Sequence, residues 1–510
     1  MKIVYFSQKR GFPLSNTYIL PPGPKGLPFL GNILQMRRDL LGFLLDVQRR
    51  YGRMATIYIG RTPVVLLFRP EHVRHILVEN PRNFTNREVA GGLVFGKTFL
   101  FSLLARTFSN KVAEVVRELV GDSLLTTDGE CHDRQRRLLQ PTFSRRSVEN
   151  YTDMIIQYTR EAVDRWRPGI EVNFASEMQA LILRMIMKIL VDIDILTEET
   201  NIADIIDGMT SQPRSPVEGI LNLSPDLPFV PSTKRRTATR KCDVFIYGLI
   251  EQRLADSHDR GDILSHLLSA EDENGNKMTR KQVRDELVSL IAAGHETSTN
   301  TLIWTMYLLS EHPTVLEKVQ AELRTVLGGR DPELGDLPQL TYLDQVIKES
   351  MRLYPSGWTQ GRCAVEDFEL DGYRLPAGTL LMFSQWVLHR HPDLWEDADM
   401  FRPERWDPLQ RQKGLQWAYF PFGGGSRICL GKSLAQLELL LILPIILQRY
   451  FPRVLPGHVV EPLPLITLHS KHGMPVRMEP VQGLLSRASA STEVRKDVKV
   501  CPFAHHMADS

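Results

Sequence analysis

The 510 residues contain no uninterrupted apolar run of the roughly 20 residues that a membrane span requires. The longest candidate, Leu437 to Leu447, is broken by Glu438 and Pro444 and suits a buried helix. Near the start, the short run Ile3 to Phe6 gives way to Gln8, Lys9 and Arg10, too little for a signal peptide. Cysteine is scarce: five, odd in number and widely scattered. That excludes a disulfide framework and suits a reducing compartment. No CxxC or HxxxH pair occurs, so the usual zinc spacings are missing. Neither sign of charge dominates, with 62 Lys and Arg against 60 Asp and Glu. A general nucleic-acid binder would carry a basic excess. There is no Gly/Ser-rich linker and no internal repeat. The expectation is a soluble, cytoplasmic protein without a transmembrane anchor, with peripheral membrane contact left open.

What is present is ordinary globular material, 43% apolar and 24% charged. The length suffices for one large core around a bulky cofactor. Pro21-Pro22-Gly23-Pro24 is a stiff entry after a lead segment, 1–20. Thr56 to Ile59 and Val64 to Phe68, parted by Gly60 to Pro63, predict a β-hairpin. Residues 71–210 have a helical pattern with polar breaks. Five prolines from 213 to 231 predict a loop or a pair of short helices, acting as a mobile lid. Thr279 and Gln282 form a capping-box start, and the helix they open runs to Glu311 before Pro313. A second helix ends at Gly328-Gly329, and a third runs from about Tyr342 to before Pro355. Short strands follow over 368–383. The fold class expected is mainly α, of α+β type. One domain covers 21–480, and 481–510 form a solvated, disordered tail.

The segment Phe422 to Gly431 (FGGGSRICLG) leads into the last long helix. A helix starting after Cys429 offers free N–H groups and a positive dipole end, which favour an anionic sulfur. Glycines let backbone amides approach that sulfur. Arg427 stands where an acid group of a cofactor could sit. A single thiolate at an apolar helix entrance suits haem iron, for which Cys is a known axial ligand, better than zinc.

These residues resemble the haem-binding signature of the cytochromes P450, F-x-x-G-x-R-x-C-x-G. Three further motifs support the resemblance. Glu349-x-x-Arg352 matches the family's E-x-x-R, and Phe401 to Trp406 matches the segment whose arginine, here Arg405, joins that pair. Ala293-Gly294-His295-Glu296-Thr297 matches the family's oxygen-side helix motif. On a helix, Leu290, Ala293, Gly294, Thr297 and Thr301 form one stripe. The small residues at 293 and 294 predict a groove for oxygen, and the Thr297 hydroxyl can bond a preceding carbonyl.

The resemblance covers Pro21 to about Pro480 and is strongest toward soluble bacterial members. It implies a large helical domain with small β-rich subdomains enclosing haem b. It implies Cys429 as the iron ligand, with Phe422 and Gly431 in the cofactor loop. Arg136, Arg362 and Arg427 would meet the haem propionates. His132 stands where the family has Trp, so a propionate contact and a surface histidine both remain open. Glu296 and Thr297 would be the acid–alcohol pair that steers protons, and Glu349, Arg352 and Arg405 the triad that braces the loop. The substrate pocket would comprise Phe101, Leu104, Leu290, Ala293, Gly294, Trp358, Thr359 and Leu468. The activity implied is insertion of one oxygen atom from O2 into an apolar small molecule. Electrons would come from an external ferredoxin or flavodoxin with its NAD(P)H reductase, docked against a basic patch of Arg134, Arg137 and Lys432. The expected state is a monomer. Rival readings are a haem-thiolate isomerase or peroxygenase and a non-catalytic haem sensor regulated by Cys501-Pro502.

Overall fold

A computed structural model describes residues 18–86, 120–196, 232–256, 258–409 and 417–481. Phe101, Leu104, the proline-rich segment 213–231 and Cys501 lie outside the described residues, as does the tail beyond Val481. Nine described helices have eleven or more residues: α1 Leu40–Tyr51, α2 Gly129–Leu139, α3 Thr152–Asp164, α4 Phe174–Val191, α5 Ser232–Ala255, α6 Arg280–Glu311, α7 Pro313–Leu327, α8 Thr341–Leu353 and α9 Lys432–Leu447. The strands are β1 Met54–Ile59, β2 Thr62–Leu67, β3 Phe84–Thr85, β4 Glu171–Asn173, β5 Gln360–Ala364, β6 Phe368–Leu370, β7 Tyr373–Leu375, β8 Leu380–Phe383, β9 Tyr450–Val454, β10 Pro462–Pro464, β11 Leu468–Ser470 and β12 Pro475–Pro480.

The predicted hairpin forms as β1 and β2, with Ile59 opposite Thr62 and Gly60 at φ +61° in the turn. It seeds a five-stranded sheet of order β1-β2-β8-β5-β3, in which β8 runs parallel to β2. β5 was not foreseen, because Gln360-Gly361-Arg362 shows no apolar alternation; its register against β8 supplies what local propensity does not. β4 interrupts the stretch expected to be helical, since Glu171 to Asn173 pair with the far C-terminal β12.

Helix α6 spans 32 residues, about 48 Å, and both halves of the predicted capping box are made between Thr279 and Gln282. It crosses the centre of the large helical core, packed on α4, while a smaller apolar cluster lies under the five-stranded sheet. α7 ends at Gly328 in the left-handed region, as its sequence predicts. Pro444 sits inside α9 without ending it. No helix of the described residues is long and apolar enough to cross a membrane.

Candidate active site

The loop before α9 is shaped by its glycines. Gly423 and Gly425 have φ of +69° and +63°. A Cβ on Gly425 would lie 1.8 Å from the Leu77 carbonyl oxygen, and one on Gly424 would strike the Trp417 ring. These glycines are therefore needed for close approach to neighbouring chain. Gly431 differs, with an ordinary φ and nothing near its Cβ direction. The Cys429 N–H donates to the Phe422 carbonyl at 2.9 Å, closing the loop on itself. The Cys429 residue is accessible, yet protein crowds its sulfur enough for burial to push the thiol pKa up. An accessible but desolvated sulfur lies in a recess. The Gly431 N–H, Arg136 and Lys432 act in the opposite direction, toward thiolate. Among the described residues no group of three or more His, Cys, Asp and Glu could hold a metal ion.

Behind the loop is a closed ionic cluster. Glu349 and Arg352 on α8 are both 0% exposed. They form a bidentate pair, Nε to Oε2 at 2.9 Å and Nη2 to Oε1 at 2.8 Å. Arg405 Nε (2.8 Å) and the Arg402 N–H (3.0 Å) donate to Glu349 Oε1, and Trp406 Nε1 donates to Oε2 at 2.9 Å. Arg352 also donates to the carbonyls of His389, Ala398 and Met400. The opposing guanidinium charges outweigh burial and hold the Glu349 carboxyl below its usual range. Sequence reasoning missed His389. Its Nε2 accepts the Phe420 N–H at 3.1 Å, which carries the cluster's order into the glycine loop. Burial and the adjacent Arg352 and Arg390 push the His389 pKa down to about 3, so it stays neutral and able to accept. Its only cue was position, between the predicted strands and the arginine segment.

The expected propionate cations divide into two groups. Among the described residues, neither Arg136 nor Arg362 has a carboxylate within ion-pair distance. Arg136 Nη1 reaches the Ile428 carbonyl at 2.9 Å, and Arg362 Nη1 the Gly361 carbonyl at 2.7 Å. Arg362 is only 6% exposed, and burial with nearby Arg427 lowers its pKa to about 10. Arg427 instead pairs with Asp128 and donates to the Thr127 carbonyl at 2.6 Å. His132 is buried, not a surface histidine, with Nδ1 3.0 Å from Asp133. Burial and the charge of Arg427 lower its pKa.

On the other side lies α6. Most of its middle is buried, but Ala293 is exposed and Leu290, Gly294 and Thr297 are half-buried, while Thr301 is buried again. An open stripe on a buried helix marks a cavity wall. The Thr297 hydroxyl donates to the Ala293 carbonyl at 2.8 Å, as predicted. One expectation is corrected: Gly294 does not widen this groove. Its Cβ would lie 2.9 Å from Ile186 Cδ1 of α4, so its smallness serves helix packing. Glu296 is turned from the stripe toward β11, 3.0 Å from Thr467 Oγ1 and 3.3 Å from His469 Nε2. Trp358 and Leu468 are fully buried; Trp358 Nε1 donates to the Leu465 carbonyl, and the Leu468 N–H to Ser356. Thr359 is half-buried beside Phe383.

Two residues of the expected basic patch have acidic neighbours. Arg134 Nε bonds Asp272 at 2.5 Å, and Arg137 lies 3.2 Å from Glu273. Two of its three cations are thus already matched by the acidic turn opposite α2.

The cytochrome P450 family model matches residues 21–96 and 101–474. A cyclooctat-9-en-7-ol 5-monooxygenase of Streptomyces melanosporofaciens is 32% identical, over 88% of this chain and 93% of that one. A pentalenene oxygenase of Streptomyces avermitilis is 29% identical, over 91% and 98%. The solved structure of a retinoic acid-bound cyanobacterial CYP120A1 superposes with a TM-score of 0.77 at 24% identity, covering 91% of this chain and all of that one.

Proposed function

The chain belongs to the cytochrome P450 family, an oxidoreductase of the monooxygenase kind, and from that premise we propose the roles of its residues. Cys429 would ligate the iron of haem b. Arg136 and Arg362 would hold its propionates, with His132 near Arg136, while Arg427 orders the Asp128 turn and adds positive charge. The observation that carries this is a pair of cations without a carboxylate among the described residues, one of which, Arg136, acts on the recessed sulfur. A bound iron would reverse the upward push on the Cys429 thiol, since a coordinating thiol is deprotonated outright. Phe422 and Gly431 form the floor of the site, and the open space at Gly431 suits a flat group lying close. When bound, haem supplies the activation of O2 for insertion into a C–H or C=C bond.

The chain's own residues do the rest. The Glu349, Arg352 and Arg405 cluster fixes the loop through His389 and so fixes the sulfur. Leu290, Ala293, Trp358, Thr359 and Leu468 line the substrate space, beside Gly294. These side chains are mostly apolar, which favours an uncharged small molecule. Two relatives carry the names of an alkenol and an alkene as substrates, which agrees with that class. Thr297 holds its hydroxyl at the groove, and Glu296 supplies protons to it. An external protein of ferredoxin or flavodoxin type delivers electrons on the Cys429 side, and the enzyme works as a monomer in a bacterial cytoplasm. The four described cysteines are free, which accords with that compartment.

Replacing Cys429 with Ala should abolish the red-shifted ferrous–carbon monoxide spectrum of thiolate ligation. Ser at 131, 242, 363 or 501 should keep it. A Cys429→Ala protein that retained the spectrum would overturn the ligand assignment. Spectral-shift screening of apolar compounds, then product analysis with surrogate electron donors, identifies the substrate. Oxidised product formed with NAD(P)H separates a monooxygenase from an isomerase or a haem sensor.

A further inference from the structure

Two stripes of α6 face different surroundings. Leu290, Ala293 and Thr297 face the groove. Glu296, Asn300 and Trp304, four residues apart, all bond the segment 467–468. Trp304 Nε1 donates to the Leu468 carbonyl at 2.9 Å, so the β10–β11 hairpin is pinned to the helix there.

At the centre of this contact is Thr467. Its hydroxyl oxygen lies 3.1 Å from Asn300 Nδ2, 2.8 Å from His469 Nε2 and 3.0 Å from Glu296 Oε2. A hydroxyl has one proton to give and two lone pairs to accept with. The Asn300 amide nitrogen can only donate, and a charged Glu296 can only accept. The Thr467 proton therefore goes to Glu296, and the second lone pair is left for His469. This fixes the imidazole with its proton on Nε2, which also faces Glu296 Oε2 at 3.3 Å. The Thr467 hydroxyl is saturated, and the carboxylate has a proton-bearing imidazole beside it. The His469 side chain is 22% exposed and that of Glu296 18%, so the set reaches from solvent to the helix.

We propose that His469 is the positioning and proton-entry residue for Glu296, with Thr467 as the bracket that aligns the two. The inference rests on Glu296 being the proton source for the groove. A proton from water binds His469 Nδ1 as the Nε2 proton passes to the Glu296 carboxylate. The neutral carboxyl loses its pull on the hairpin and turns toward the Thr297 side of the helix. There it releases the proton and returns charged. The imidazole regains its Nε2 proton from water and loses the one on Nδ1. One proton is carried from solvent per cycle, and no electron moves. Among the groups acting on Glu296, His295 of its own helix is the other titratable one, and it lies on the buried side.

The test uses the haem-loaded full chain, reduced by a surrogate ferredoxin and its reductase, with and without pentalenene as probe. NADPH use, O2 uptake and peroxide release are followed in H2O and D2O. His469→Ala should at least triple the share of electrons lost as peroxide and raise the solvent isotope effect on NADPH use. The ferrous–carbon monoxide spectrum should stay intact. His469→Gln keeps an N–H donor but cannot relay, so it should resemble His469→Ala in isotope effect. Full rescue by Gln, or an unchanged peroxide share in His469→Ala, overturns the proposal. Glu296→Gln separates the levels. If it too changes nothing, the proton role of Glu296 fails; if it raises peroxide while His469→Ala does not, only the His469 inference fails.

Discussion

Two carboxylates of this chain are held by hydrogen-bond donors, and their surroundings give them opposite characters. Glu349 is wholly enclosed and takes five hydrogen bonds from Arg352, Arg405, Trp406 and the Arg402 backbone. Glu296 is partly exposed and, among the described residues, hydrogen-bonds with Thr467 and His469. The first has no orientation to go to that would not strand a buried charge. The second can break two bonds and find water. What sets a brace apart from a mobile acid is thus the number of donors and the access of solvent, while the residue type is the same.

The largest expected effect tests the enclosed side. Glu349→Ala leaves Arg352 and Arg405 buried and unpaired, which costs roughly 3–5 kcal/mol. The expected product is insoluble or haem-poor protein, measured as haem per chain and by denaturant unfolding. A soluble, haem-loaded and stable variant would erase the contrast.

A third carboxylate sharpens the contrast through pH. Glu438 on α9 is 1% exposed, and its one described partner is the Ser298 hydroxyl, at 2.6 Å. Burial without a cation raises its pKa to about 7, against an ordinary 4.5. The folded state therefore binds the proton more tightly than the unfolded state. Its stabilising effect is full below about pH 4.5 and is lost as pH rises through about 7. Glu438→Gln should match wild type near pH 5 and be more stable at pH 8, by on the order of 1–3 kcal/mol. Melting curves at the two pH values decide it; equal differences at both would mean that the carboxyl is not the cause.

A smaller effect is expected on the mobile side. Glu296→Gln should change unfolding free energy by no more than about 1 kcal/mol, as expected for a part-exposed pair, while product formed per NADPH falls. Thr297→Ala should likewise keep carbon monoxide binding and divert electrons to peroxide. Unchanged coupling in both would remove the acid–alcohol assignment.

The smallest effect belongs to the surface. Arg134 and Arg137 are already paired with Asp272 and Glu273. Charge reversal at both turns two positive charges into two negative ones beside Asp272 and Glu273, so the salt dependence of reduction by an acidic ferredoxin should stay nearly unchanged only if the donor docks on another face. A clear flattening in stopped-flow salt series would show that these cations act on a partner after all.

Much of this was legible in the sequence because it is local. The capping box, the hairpin at Gly60, the end of α7 at Gly328 and the thiolate loop each follow from a few adjacent residues. The Glu349–Arg352 spacing was visible too, but its burial was not, since i, i+3 pairs are common on surfaces. What stayed hidden depends on distant chain segments. β5 needs β8, Gly294 needs Ile186, Arg427 needs Asp128, and Glu296 needs a hairpin some 170 residues later. His389 shows the same limit: its role lies in one backbone N–H thirty-one residues away.

The open stripe of α6 also serves as a ruler. From Leu290 to Thr297 the helix advances seven residues, roughly 10 Å, and the buried Thr301, bonded to Ser356 at 2.9 Å, closes it. A compact guest of a few fused rings can lie against the whole of that edge. A long extended chain must leave it, and its far end is then free of the helix that carries Thr297.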